Sequence, residues 1–279
     1  MSDTFAMRPE TDLAGKVAVI TGAAHDLGLA LALYAADRGM MVALADANEH
    51  LLGAALEHVK TKGVEAIAVP ADTLDFASLN ELARRCAAEL GPPWLICNNP
   101  GVSIEVTLWG VINGVQVFAP GMAERDDGHI VNIAPAEMFG TRRAAVDAAI
   151  THAIVGLSES LYRELDSMGS RVGVTLVCPA VGNTSIASVP EYQNSVRPST
   201  RYVPLNSLPP GEVAEQIFAA VVARHFWFCA HTPGRPSRAR TLSTAKSQIQ
   251  PPRQPLPPTP APVVSRIRDG LECLLRSAG

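Results

Sequence analysis

The sequence lacks the cysteine patterns that disulfide frameworks and zinc sites require. Its cysteines are odd in number, widely spaced and without a CxxC pair: Cys86, Cys97, Cys178, Cys229 and Cys273. This spacing argues against both kinds of site and favours a reducing compartment. We therefore expect a cytoplasmic protein without a structural metal.

Signals for membrane insertion and secretion are also missing. We find no apolar run that approaches the length of a bilayer span, and the first fourteen residues contain acids but no apolar signal core. With 47% apolar and 18% charged residues, the 279-residue chain has the composition of a globular protein with a sizeable core. We expect one large domain and no membrane association.

Acidic side chains are absent from residues 216–268. Residues 1–215 hold 14 Lys and Arg against 25 Asp and Glu, whereas residues 216–279 hold 9 basic and 2 acidic residues. A basic arm binds anionic partners, which makes an interaction module one hypothesis for this end of the chain. The alternative is a solvated tail beside an acidic body. It is favoured over nucleic-acid binding because no aromatic residues interleave the charges for base stacking.

A Pro-rich segment marks the predicted boundary of the folded domain. Residues 233–262 contain nine of the 22 prolines, and such a segment cannot maintain helix or sheet hydrogen bonds. We predict a folded domain over residues 1–232 and a Pro-rich basic tail over residues 233–279, which ends in a short helix at 263–275.

Strands and helices alternate along the predicted domain. Short apolar, β-branched runs predict strands, and apolar residues spaced three and four apart predict helices. The predicted strands are 16–21, 41–45, 66–69, 94–97, 130–133, 172–178 and 226–229; the predicted helices are 27–35, 51–60, 76–90, 109–122, 141–165 and 211–223. This order predicts an α/β fold: a single Rossmann-type, doubly wound parallel sheet flanked by helices.

A glycine turn joins the first strand to the first helix. It reads TGAAHDLG over residues 21–28, with Gly22 and Gly28 at its ends. Backbone N–H groups at a helix N-terminus face an anion there, and glycine permits its close approach. The turn therefore predicts a site for the phosphates of a dinucleotide.

Two acidic residues follow neighbouring strands. Asp46 ends the second strand, where a carboxylate accepts both adenosine-ribose hydroxyls and repels a 2′-phosphate, which favours NAD over NADP. The alternative for Asp46 is a turn residue at the strand end. Asp72 follows the third strand and is a candidate for the adenine edge, with a helix cap before Phe76 as the alternative.

These motifs together resemble the short-chain dehydrogenase/reductase family over about residues 13–230. The TGxxxGxG turn matches residues 21–28 except at Asp26, which brings negative charge near the pyrophosphate, and the NNAG motif appears as residues 98–101. Residues 108–122 look like the family's dimer helix, residues 152–165 like the helix behind its active site, and residues 178–184 like its PGxVxT loop. The resemblance implies NAD contacts from Gly22, His25, Leu27, Gly28, Asp46, Asp72, Asn99, Gly101, Pro179, Gly182 and Thr184.

The family's catalytic tetrad is replaced throughout. The resemblance implies hydride transfer by an Asn, Ser, Tyr and Lys, whose positions here hold Thr107, Pro135, Asp147 and Thr151. No displaced YxxxK motif restores the tetrad, because Tyr162 is followed by Asp166 and no lysine occurs between residues 63 and 245.

Three functional hypotheses follow. The first is an NAD-binding, non-catalytic member of the family. It would form a homo- or hetero-oligomer through the helices near 108–122 and 143–165, plausibly with an active family member. The second is an oxidoreductase with a non-standard site at Asp147 and His152. The third is an interaction protein that acts through the basic tail.

Overall fold

The computed structural model describes residues 12–99, 104–134, 145–178 and 208–229. The strands are β1 Val17–Thr21, β2 Met41–Asp46, β3 Ala66–Pro70, β4 Pro93–Asn98, β5 His129–Ile133, β6 Gly173–Cys178 and β7 Trp227–Cys229. The helices are α1 Asp26–Asp37, α2 Glu49–Lys60, α3 Phe76–Glu89, α4 Ile104–Arg125, α5 Ala145–Ser167 and α6 Pro210–Val222. The predicted tail over residues 233–279 lies outside these ranges.

The seven strands form one parallel sheet in the order β3-β2-β1-β4-β5-β6-β7. The chain runs outward from β1 to β3, crosses back to β4 and then runs to the opposite edge, which confirms the predicted doubly wound topology. In such sheets a ligand binds at the carboxyl ends of the strands where the order reverses. That point lies between β1 and β4.

Both faces of the sheet are covered by helices, so its strands are apolar on both sides. Successive side chains of β1 alternate between the faces: Ile20 packs in a core with α1, α2 and α6, whereas Val19 packs in a core with α3, α4 and α5. All five residues of β1 are buried. This burial anchors the strand that leads into the glycine turn.

Side-chain caps fix where two helices begin. The Asn48 side chain accepts a hydrogen bond from the Leu51 N–H at the start of α2, and the Asp75 side chain accepts one from the Ala77 N–H at the start of α3. The N-cap of α3 is therefore Asp75, and the alternative role of Asp72 as that cap is wrong. The Asp72 side chain instead accepts a hydrogen bond from the Leu74 N–H, in the turn before the helix.

Helix α4 differs most from the sequence expectation. It begins at Ile104 rather than near 109, and residues Val106–Arg125 are long and apolar enough to cross a membrane by length and composition. We expected no such run. Its apolar character has a structural cause, because Val111, Val115 and Met122 are fully buried against the sheet and neighbouring helices.

Candidate nucleotide-binding site

The glycine turn between β1 and α1 leaves no room for side chains at its two glycines. Gly22 has a φ of 59°, in the left-handed region, and a Cβ there would lie 2.7 Å from the Asn99 carbonyl oxygen. A Cβ on Gly28 would overlap the Gly22 carbonyl oxygen. The N-terminus of α1 thus packs directly against the end of β1. Both glycines lie where the sequence predicts them, in a strand–turn–helix arrangement suited to a phosphate.

Asn99 ties the glycine turn to the end of β4. Its backbone N–H donates to Thr21 Oγ1 at 3.0 Å, and its side-chain Nδ2 donates to the Gly22 carbonyl at 3.2 Å. The predicted cofactor residue Asn99 therefore lies beside Gly22 and Gly28, at the point where the strand order reverses. Its side chain holds the turn in shape.

The Asp46 carboxylate bridges two turns. Its Oδ2 accepts a hydrogen bond from the Ala24 N–H of the glycine turn at 3.1 Å, and its Oδ1 accepts one from the Asn48 N–H at 2.9 Å. Asp46 therefore has the strand-end turn role that was considered as an alternative, and its carboxylate also bonds directly to the glycine turn. Each carboxylate oxygen has a further lone pair, so these bonds still permit contact with ribose hydroxyls.

The side chains of His25 and Asp26 form a hydrogen bond inside the turn, which becomes an ion pair when His25 is protonated. Asp26 occupies the family's glycine position with a φ of 49°, and its Oδ2 lies 3.2 Å from His25 Nδ1. The hydrogen bond to Asp26 raises the pKa of His25; burial opposes this shift, and the charges of Asp26 and Asp46 add to it. Leu27, by contrast, buries its side chain in the core, so only its backbone faces a nucleotide.

Asp72 lies in the turn between β3 and α3. Its side chain is exposed, and its Oδ1 accepts a hydrogen bond from the Leu74 N–H at 2.9 Å. The backbone N–H of Asp72 donates to Ser78 Oγ at 3.1 Å, which closes the turn onto α3. The adenine contact remains a prediction.

Two of the four tetrad positions lie among residues whose side chains are described. Thr107 on α4 and Thr151 on α5 are buried, with 5% and 0% of their surface exposed. Asp147 lies on α5 one turn before Thr151. The side chain of Asp147 and the whole of Pro135, Gly101, Pro179, Gly182 and Thr184 lie outside the described residues.

His152 is placed differently from its neighbour Thr151. It is exposed, and its Nδ1 donates to the Ala148 carbonyl of the preceding helical turn at 2.6 Å. Positions five apart on a helix, such as Asp147 and His152, are separated by about 140° around the axis. These two positions therefore lie on different faces of α5.

A buried polar chain beneath the site was missed by the sequence analysis. Asn98 Nδ2 donates to Asn132 Oδ1 at 2.8 Å, Asn132 Nδ2 donates to Ser158 Oγ at 3.0 Å, and Ser158 Oγ donates to the Ile154 carbonyl at 2.8 Å. It connects β4, β5 and α5. The sequence signal that could have revealed this chain is an asparagine near the end of each of two mainly apolar strands.

Comparison with known proteins places this geometry in a family. The family model for short chain dehydrogenases matches residues 16–193. The CLA biosynthesis dehydrogenase/reductase of Lactiplantibacillus plantarum is 26% identical over 260 residues, with 81% of this chain and 91% of the relative covered. The 1-deoxy-11-beta-hydroxypentalenate dehydrogenase of Streptomyces avermitilis is 29% identical over 208 residues, with 61% and 76% covered.

A solved structure indicates the same family as the sequence relatives. A crystal structure of a short chain dehydrogenase/reductase from Burkholderia phymatum in complex with NAD has a TM-score of 0.72 and 30% identity. The match covers 90% of this chain and 100% of that one. With a nucleotide-type turn, a doubly wound sheet and a family match over residues 16–193, the chain belongs to the short chain dehydrogenase family.

Proposed function

We propose that this chain binds NAD(H) at the glycine turn and acts as a non-catalytic, cofactor-binding subunit of an oligomer. The oligomer contains further copies of the chain or an active member of the family. The replacement of all four tetrad positions is the observation that supports this proposal over ordinary family catalysis.

The residues around the glycine turn fit a dinucleotide. A Cβ at Gly22 would meet Asn99, and a Cβ at Gly28 would meet the Gly22 carbonyl, so glycine at both positions permits the close packing of the α1 N-terminus against the end of β1. A helix N-terminus placed in this way suits a phosphate. Asp46 would hold the adenosine ribose and oppose a 2′-phosphate. Asn99 keeps the turn in place beside the end of β4. When bound, NAD supplies a nicotinamide ring that accepts or gives a hydride.

The tetrad positions do not fit the proton chemistry of hydride transfer. A threonine hydroxyl at 151 replaces the amine that lowers the tyrosine pKa in the family, and an aspartate at 147 replaces the proton donor. An ionised carboxylate has no proton to give at neutral pH. Loss of a positioned general acid lowers a rate by about 10²- to 10⁴-fold. Turnover by the family's mechanism is therefore not expected from this chain.

Helices α4 and α5 supply the proposed oligomer surface. Trp109 on α4 is 36% exposed and Tyr162 on α5 is 41% exposed, so each helix presents an aromatic side chain that a second subunit would cover. The thiols of Cys86 and Cys97 are buried and form no disulfide with a described residue. Cysteines without a disulfide support our further proposal of a cytoplasmic location.

Titration of the full chain with NADH and NADPH tests the cofactor proposal. We expect NADH to bind more tightly than NADPH. The Asp46→Ala substitution should weaken NADH binding and reduce the difference in affinity between the two nucleotides. The matched control is Asp37→Ala, which removes a half-exposed aspartate at the far end of α1. Equal affinity for the two nucleotides, or an Asp46→Ala variant that behaves as wild type, would contradict the proposal.

Two further measurements test the non-catalytic role and the oligomer. NADH bound to the chain should not be oxidised when a panel of ketones is added. Steady NADH oxidation that is abolished by Asp147→Ala would identify an active enzyme instead. Light scattering on the complex purified from its source should give a mass above that of one chain. Recovery of this chain alone as a monomer would contradict the subunit role.

A further inference from the structure

The glycine turn carries a negative charge of its own at Asp26. Asp26 stands at a position with a φ of 49°, which aspartate tolerates better than most residues. It begins α1, where the first backbone N–H groups have no partner within the helix and attract anions. The Asp26 carboxylate therefore lies at the helix terminus that a dinucleotide would approach with its pyrophosphate.

His25 is a partner of Asp26 whose own charge depends on pH. Its Nδ1 lies 3.2 Å from Asp26 Oδ2, and the side chains are 40% and 15% exposed, so the pair is partly shielded yet open to solvent protons. Among the described residues, the charged groups that act on His25 are Asp26 on α1 and Asp46 at the end of β2. Asn99 at the end of β4 is neutral. Protonation of His25 thus changes the net charge of the three residues from −2 to −1.

We propose that His25 and Asp26 act as a proton-controlled determinant of dinucleotide affinity, such that the pyrophosphate binds the form in which His25 carries a proton. This inference rests on the proposed NAD function and concerns regulation of the same site. His25 and Asp26 are positioning residues for the ligand and have no role in hydride transfer.

The direction of the pH dependence follows from charge. The hydrogen bond to Asp26 raises the pKa of His25 in the protein, and an added pyrophosphate raises it further, so binding takes up protons. Dinucleotide affinity therefore falls as pH rises through the pKa of His25. Unit charges about 6 Å apart at an effective dielectric constant of about 40 change a binding constant roughly tenfold. We expect a loss of affinity of about that size.

The experiment is a fluorescence titration of the full chain with NADH from about pH 6 to about pH 9 at constant ionic strength, across the range of histidine titration. Wild type should weaken by about tenfold over this range. His25→Gln should bind weakly at every pH, with a flat profile. Asp26→Gly should bind more tightly than wild type at the alkaline end and move the midpoint to lower pH.

His58→Gln is the matched control, because His58 is an exposed histidine on α2 away from the turn. It should follow the wild-type profile. Calorimetry in two buffers of different ionisation enthalpy gives a second readout: wild type and His58→Gln should take up protons on binding NADH, whereas His25→Gln should not. Denaturation midpoints will show whether each variant remains folded.

The outcomes separate the two proposals. Binding of NADH with a pH-independent constant, or a His25→Gln variant that keeps the wild-type slope, would overturn the role of the pair and leave the NAD function intact. Failure of both wild type and Asp26→Gly to bind NADH at any pH would overturn both.

Discussion

Gly28→Ala is the substitution that most sharply tests the turn geometry. A Cβ at this position would lie 2.6 Å from the carbonyl carbon of Gly22 and 2.9 Å from Asn99 Nδ2, and it would overlap the Gly22 carbonyl oxygen. The obstructing atoms of Gly22 belong to the backbone and cannot rotate away. Either α1 or the end of β1 must shift.

The energetic balance has three parts. Overpacking of this kind costs about 1–3 kcal/mol, and displacement of the Gly22 carbonyl breaks its hydrogen bond from Asn99, worth about 1 kcal/mol. Replacing a helical glycine by alanine returns about 1 kcal/mol. We expect a net loss of about 1–3 kcal/mol in the free energy of unfolding, together with weaker NADH binding.

Gly53→Ala is the matched control. Gly53 lies within α2 with nothing within 4 Å of an added Cβ. This variant should gain about 0.5–1 kcal/mol. Urea denaturation followed by far-ultraviolet circular dichroism measures both changes. A Gly28→Ala variant as stable as Gly53→Ala, with unchanged affinity for NADH, would refute the close approach of α1 to the strand.

Two further substitutions test the core. Burial lowers the pKa of His129 to about 3, so the unfolded chain binds the extra proton first and stability is lost as pH falls from about 6.5 towards 3. His129→Gln should remove a slope of up to about 1.4 kcal/mol per pH unit in urea denaturation, and an unchanged slope would contradict the neutral, buried imidazole. Asn132→Ala should cost roughly 1–3 kcal/mol because it leaves the buried Asn98 amide without its partner. Asn80→Ala, which removes an exposed hydrogen bond to Phe76, should change stability by less than about 0.5 kcal/mol, and equal effects would contradict the buried chain.

Local chemistry made most of the fold predictable. The boundaries of β1 and β2 lie within one residue of the predicted ones, because buried strands of a parallel sheet are continuous apolar runs with abrupt ends. Helix α4 was harder to delimit. Its apolar periodicity becomes clear only at Trp109, and the preceding helical turn includes the polar but buried Thr107.

The site was predictable where a single residue type meets a backbone requirement, as at Gly22 and Gly28. Its side-chain contacts were not predictable, because they depend on which strands become neighbours. The bond between Asn98 and Asn132 joins residues on β4 and β5. The Asp46 bond to Ala24 likewise requires β2 to lie beside β1. No local pattern contains this information.

The central claim is that this chain binds NADH but does not transfer its hydride, and both parts can be tested most directly in one sample. Calorimetry of the full chain with NADH, followed by the near-ultraviolet absorbance of the bound NADH in excess ketone, reports binding and hydride transfer together. The account predicts one bound equivalent per chain and constant absorbance. Absence of binding, or an absorbance loss that Asp147→Ala abolishes, would contradict it.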